Sequence, residues 1–148
     1  MAKTYSISEV ASMMGVAPST LRYYEKEGLL PNVKRVNGKR VFEEKDFGWL
    51  RVLNCLKNTG MPIRRIKEYA RLSQMGDESL SARYELIKAQ REYVQDQIDR
   101  LNYYMKELDY KDWYYRTAIE LGSEKAVQNK SKAKEMNLDT IPEKEDFK

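Results

Sequence analysis

The 148-residue sequence predicts a mainly α protein, a winged helix-turn-helix head followed by a long coiled-coil helix. Three observations lead there. Two short segments with apolar faces are separated by a turn at Gly15, and a basic hairpin centred on Asn37-Gly38 follows them. From about Ser79 onward, apolar residues recur in steps of three and four, the spacing of a coiled-coil seam.

The elements can be justified in order. A short strand-like piece opens "YSISEVASMMG", and Ser8 is a candidate N-cap for a first helix. Val10, Ala11 and Met14 mark its apolar face and Gly15 ends it. Pro18 and Ser19 start a second helix, since proline in a first turn has no hydrogen bond to lose; it runs through Leu21 and Tyr24 and stops at Gly28. Val33–Val36 and Lys39–Phe42 are β-prone and flank Asn37-Gly38, the favoured pair for a type I′ hairpin turn. A third helix is expected over Glu43–Asn58, with Trp49, Val52, Leu53 and Leu56 on one face. Thr59-Gly60 ends it, and Pro62 opens a fourth helix carrying Ile63, Ile66, Tyr69, Ala70 and Leu72.

After the break "SQMGDES" comes the long helix. Its seam is Tyr84, Ile87, Arg91, Val94, Ile98, Leu101, Met105 and Leu108, a stripe roughly 37 Å long at the helical rise of 1.5 Å per residue. So narrow a stripe on so long a helix predicts pairing with a second copy; packing onto its own head is the other solution. Six aromatics, Tyr103, Tyr104, Tyr110, Trp113, Tyr114 and Tyr115, close the arm. After Gly122 the tail is rich in Lys, Glu, Asn and Ser, and weak order is expected. The expected organisation is thus a head over 1–76, a dimerisation helix over 77–118 and a tail over 119–148.

Charge is unevenly placed. Residues 1–72 hold 14 Lys and Arg against 7 Asp and Glu, a net of +7, whereas residues 73–148 hold 13 against 16, a net of −3. The head, not the arm, is therefore suited to a polyanion. Lys34, Arg35, Lys39 and Arg40 all fall on the hairpin, which makes it a wing able to clamp a duplex backbone while a helix reads a groove. The chain has one cysteine, no histidine, no glycine-rich phosphate loop and no metal-ligand spacing, so neither catalysis, a cofactor nor a resident metal is expected. No apolar run suits a membrane span and no signal peptide is visible, so a cytoplasmic location is expected.

With these elements in place, "YSISEVASMMGVAPSTLRYYEKEGLLP", and above all "TLRYYEKEGLL", resembles the MerR family of bacterial transcription regulators. The resemblance covers about residues 4–118. It implies a homodimer joined by antiparallel long helices, bound to an inverted repeat inside a promoter with an overlong spacer. Such regulators distort the duplex so that RNA polymerase can engage both promoter elements. Ser19, Thr20, Arg22, Tyr23 and Tyr24 would then meet double-stranded DNA from the second helix, and Lys34, Arg35, Lys39 and Arg40 from the wing. The wing departs from the family's Gly-Tyr-Arg-x-Tyr pattern, because here it reads Gly38-Lys39-Arg40-Val41-Phe42; Lys39 supplies charge where the family has an aromatic hydroxyl.

The stretch "CLKNTGMP" further resembles the NmlR and AdhR branch, which responds to reactive aldehydes or related electrophilic and oxidative stress through one cysteine at this place. The resemblance makes Cys55 the sensor. On a helical wheel Cys55 lies at the margin of the apolar face, with Arg51 one turn back and Gly48 nearly in line, removing bulk. A neighbouring cation favours the reactive thiolate, while the negative end of the helix dipole opposes it. The alternative is a buried cysteine acting as a small hydrophobe, in a regulator with another effector. A coiled-coil adaptor whose basic head binds protein or RNA is a further reading.

Overall fold

The computed structural model describes residues 3–127, 138 and 140–147. In chain order these residues form β1 (Thr4–Ser6), α1 (Ile7–Met14), α2 (Pro18–Lys26), β2 (Lys34–Val36), β3 (Lys39–Glu43), α3 (Phe47–Asn58), α4 (Ile63–Ser73) and α5 (Leu80–Leu121). The expected fold is present, with two corrections at helix starts. The cap of α1 is Ser6, not Ser8: its side chain accepts the Glu9 N–H, and the Glu9 carboxylate accepts the Ser6 N–H, each at 3.1 Å. Ser6 is the serine with a glutamate three residues on, the spacing a capping box requires. The third helix begins at Phe47 rather than Glu43, because Glu43 is still paired in the sheet opposite Thr4 and a 3-10 turn over Glu44–Asp46 intervenes.

The sheet is antiparallel in the order β1-β3-β2. Val36 pairs with Lys39, leaving Asn37 and Gly38 as a two-residue loop with φ of 53° and 77°. Both are left-handed, as a type I′ turn demands, and asparagine and glycine tolerate that region best. Gly15 caps α1 in the same region, with φ 70°.

The head's core gathers one face from each of its four helices, together with Tyr5 of β1 and Phe42 of β3. Leu21 of α2 is 0% exposed and packs in a cluster with Val10 of α1, Leu29, Phe42 of β3, Leu53 and Leu56 of α3, and Ile66 of α4. Leu50, which the sequence pattern passed over, is buried at the centre of the α3 face. Trp49 is half-buried instead; its indole N–H donates to the Leu29 carbonyl at 2.7 Å and its ring stacks on Tyr69 at 5.8 Å.

The 42 residues of α5 would span about 63 Å at the usual helical rise. The chain divides into compact units at 1–90 and 91–148, so the boundary falls inside α5. In the first unit Leu86 is the buried residue of α5. In the second, Gly122 (φ 78°) turns the chain and Ser123 N–H donates to the Ala118 carbonyl, burying Val127 and Ala118. The Phe147 ring lies 5.0 Å from Tyr103 and 4.6 Å from the Arg100 guanidinium. The expectation of weak order over 119–148 falls partly on residues 128–137, 139 and 148, which lie outside the described residues.

Candidate nucleic-acid interface

In α2 the alternation between core and solvent sorts the predicted residues. Leu21 and Tyr24 face the core, so Ser19, Arg22, Tyr23 and Lys26 project outward. Tyr23 is 45% exposed while its neighbour Tyr24 is 4% exposed. Their predicted roles therefore rest on different surfaces: Tyr23 offers a ring and hydroxyl to solvent, and Tyr24 offers at most its buried hydroxyl. That hydroxyl has no hydrogen-bond partner among the described residues, an uncommon condition for a buried polar atom. Tyr24 also lines a cavity of about 460 Å³ together with Ser19, Thr20, Lys57 and Ile63. Lys57 was missed from sequence because it sits one helix away; its ammonium lies 5.9 Å from the Tyr24 ring centre.

The wing is held against α2 by a single carboxylate. Glu25 accepts from Arg40 Nε at 2.7 Å and from Arg35 at 3.1 Å. Arg40 is half-buried by this arrangement, and Arg35 remains exposed. Lys34 pairs across the sheet with Glu43 at 3.2 Å. That hydrogen bond raises the Lys34 ammonium above its usual value and lowers the Glu43 carboxyl below its own. Lys39 and Arg22 are exposed and make no ion pair among the described residues. The arrangement is a recognition helix and a hairpin locked together, with arginine, lysine and tyrosine displayed on the outside.

Cys55 is an exposed residue near the C-terminus of α3. Its backbone carbonyl accepts both the N–H (3.0 Å) and the hydroxyl (2.8 Å) of Thr59. Arg51 is exposed and helps line a separate apolar cavity of about 260 Å³ with Met13, Met14, Phe47 and Asn54; Cys55 is not part of that lining. Gly48 opens onto free space, since a Cβ there would meet nothing within 4 Å. Among the described residues no three His, Cys, Asp or Glu side chains stand close enough to hold a metal ion. None of the described helices is long and apolar enough to cross a membrane. Of the seam, Val94 is half-buried, while Ile87, Ile98, Leu101, Met105 and Leu108 are exposed, Leu101 at 68% and Leu108 at 63%.

Comparison with known proteins agrees with this geometry. A family model described as "MerR HTH family regulatory protein" matches residues 5–73. A Haemophilus influenzae protein named as an uncharacterized HTH-type transcriptional regulator is 43% identical over 141 residues, 95% of this chain and 98% of that one. The HTH-type transcriptional regulator AdhR of Bacillus subtilis is 38% identical over 88 residues, 59% of this chain and 63% of its own. The crystal structure of HiNmlR, described as a MerR family regulator lacking the sensor domain and bound to promoter DNA, matches with a TM-score of 0.80. It is 44% identical and covers 85% of this chain and 96% of its own. Fold and site together define a helix-turn-helix transcriptional regulator, not an enzyme. The chain belongs to the MerR family, on the NmlR and AdhR branch that the sequence pointed to.

Proposed function

We propose that this regulator binds an inverted-repeat promoter operator as a homodimer, distorts the spacer so that RNA polymerase can engage it, and does so in response to a small electrophile at Cys55. On this reading residues 1–76 are the DNA-binding domain and 77–118 the dimerisation helix, and the protein works in the cytoplasm. The observation that carries the DNA reading is the lock between α2 and the wing. Because Glu25 ties Arg40 and Arg35 to the recognition helix, Ser19, Thr20, Arg22 and Tyr23 move as one body with Lys34 and Lys39. A rigid two-part grip can hold a twisted duplex, whereas two independent contacts would let it relax. HiNmlR, with 44% identity, was crystallised on promoter DNA, which supports the same partner here.

For the signal, the exposure of Cys55 favours a reactive thiol over a buried hydrophobe. Addition of the thiolate to an aldehyde carbon, with a proton ending on the aldehyde oxygen, gives a hemithioacetal and needs no oxidant. An adduct at the end of α3, just before the turn into α4, shifts the balance between relaxed and DNA-distorting forms by its differential fit to the two.

Two experiments test the proposal. Binding to a palindromic operator and to a scrambled duplex, titrated with salt, should show a clear preference for the operator; equal affinity for both would favour a coiled-coil adaptor with a basic head. The Cys55→Ser chain should keep operator affinity yet leave the promoter silent under aldehyde challenge. Normal induction in that variant would assign the signal elsewhere and make Cys55 structural.

A further inference from the structure

Within residues 80–90, one line of α5 meets the head. Leu86 is buried, Arg83 and Gln90 are half-buried, and the other residues of this stretch are exposed. The three recur at intervals of three and four, so they share one helix face. Their attachments differ in kind. Arg83 bonds locally, to the Ser79 hydroxyl at 2.9 Å and the Gly76 carbonyl at 2.8 Å. Leu86 packs without direction, as any apolar side chain does. Gln90 reaches across 31 residues of chain: its side-chain amide donates to the Thr59 carbonyl at 3.1 Å and to the Thr59 hydroxyl at 2.8 Å.

Thr59 has a second set of bonds. Its hydroxyl donates to the Cys55 carbonyl at 2.8 Å and approaches the Leu56 carbonyl at 3.3 Å, and its N–H donates to the Cys55 carbonyl at 3.0 Å. A hydroxyl has one proton to give and two lone pairs to receive with, so donation to Cys55 and acceptance from Gln90 coexist. Both acceptors of Gln90 belong to one residue, the C-cap of α3. Any repacking of the last turn of α3 therefore moves both together. Gln90 is also the last residue of the first compact unit, where α5 leaves it.

We propose that the Gln90–Thr59 clasp transmits the state of the C-terminal turn of α3, with Cys55 on it, to the start of the long helix. Gln90 is then a positioning residue for the response, dispensable for folding and for holding DNA. The clasp rests on the Cys55 reading only for its physiological trigger; the mechanical link stands or falls separately.

The test uses the full-length chain, with Cys55 alkylated by iodoacetamide as a defined adduct. Amide hydrogen exchange over residues 86–95 is compared before and after alkylation in the unaltered protein, in Gln90→Leu and in Thr59→Val. Alkylation should change exchange there by about fivefold or more in the unaltered protein, and leave it unchanged in Gln90→Leu. Thr59→Ser keeps the hydroxyl and should behave as the unaltered chain does. Gln90→Leu should also bind operator within about twofold of normal while losing about five- to tenfold of its induction ratio, the size expected of an ordinary coupling between sites. No change on alkylation, or the same change with and without Gln90, would overturn the clasp. So would parallel losses of DNA affinity and induction, which mark a merely structural role. Should Gln90→Leu fold poorly, Thr59→Val removes one of the two bonds with little change in shape and is read the same way. A Cys55→Ser chain that still induces would remove the sensor reading and leave the exchange result untouched.

Discussion

Lys34 of β2 and Glu43 of β3 form an ion pair, diagonal to the strand register, and each shifts the other's proton affinity. The hydrogen bond and charge of Lys34 hold the Glu43 carboxyl below its usual 4.5, and the same bond to Glu43 holds the ammonium above 10.5. A carboxyl depressed in the fold contributes stability that is complete above its unfolded value and is lost as pH falls through its folded one. The ammonium contributes stability below 10.5 and loses it as pH rises through its raised value. Lys34→Ala should therefore move the Glu43 carboxyl back up towards 4.5, read by side-chain carboxyl NMR titration; an unmoved titration would refute the pairing. Deeper in the head the same scale has a different currency, which is volume. Leu21 is fully buried in the core cluster of the head, so Leu21→Ala should cost about 2–5 kcal/mol in urea unfolding, with a large drop in Tm.

Among the elements, the wing shows how a weak hairpin is made to hold position. Three residues in β2 and five in β3 would be marginal alone, but β1 closes one edge of β3 and Glu25 anchors both arginines. Glu25→Gln removes that anchor. Because the pairs are partly exposed, the cost in global stability should be no more than about 1 kcal/mol. The local effect should be larger: faster amide exchange over residues 34–43, with operator affinity reduced because the two halves of the grip no longer move together. Unchanged exchange would mean that β1 alone holds the wing. Much of this element was legible beforehand. Asn37-Gly38 specifies its turn chemically, and Gly15 and Pro18 punctuate α1 and α2 for equally local reasons. What escaped was whatever depends on residues distant in the chain. Nothing in "VNGKRVF" says that Glu25 will face Arg40, and nothing near Lys57 says that Ser19 will lie across a cavity from it. The Gln90–Thr59 bonds were invisible for the same reason. Tyr24 was read with Tyr23 as one motif, although the helix turns their side chains to opposite environments.

For the whole molecule, the governing fact is that α5 carries apolar surface that stays exposed among the described residues. Ile98, Leu101, Met105 and Leu108 fall at steps of three and four, and each is 45% or more exposed. An exposed stripe of this kind on a helix of 42 residues is the surface that the proposed dimer would bury. Each leucine that is fully covered there contributes about 1.5–3 kcal/mol, so replacing both Leu101 and Leu108 by aspartate removes that gain twice and sets like charges into a dry seam. The double variant should sediment at the mass of a single chain at micromolar concentration, where the unaltered protein should sediment at twice that mass. Its head should keep a near-normal Tm, because Leu21, Leu53 and the rest of the core cluster lie in the first unit, apart from both substitutions. Operator binding is the sensitive readout. Two heads joined by an arm bind an inverted repeat at the effective concentration the arm imposes, and separated heads lose that advantage by a factor of about 100 or more. A single half-site should be bound equally well by both proteins. If the double variant still formed a dimer, the seam would lie elsewhere on α5; if it bound the full operator normally as a single chain, pairing would have no part in recognition.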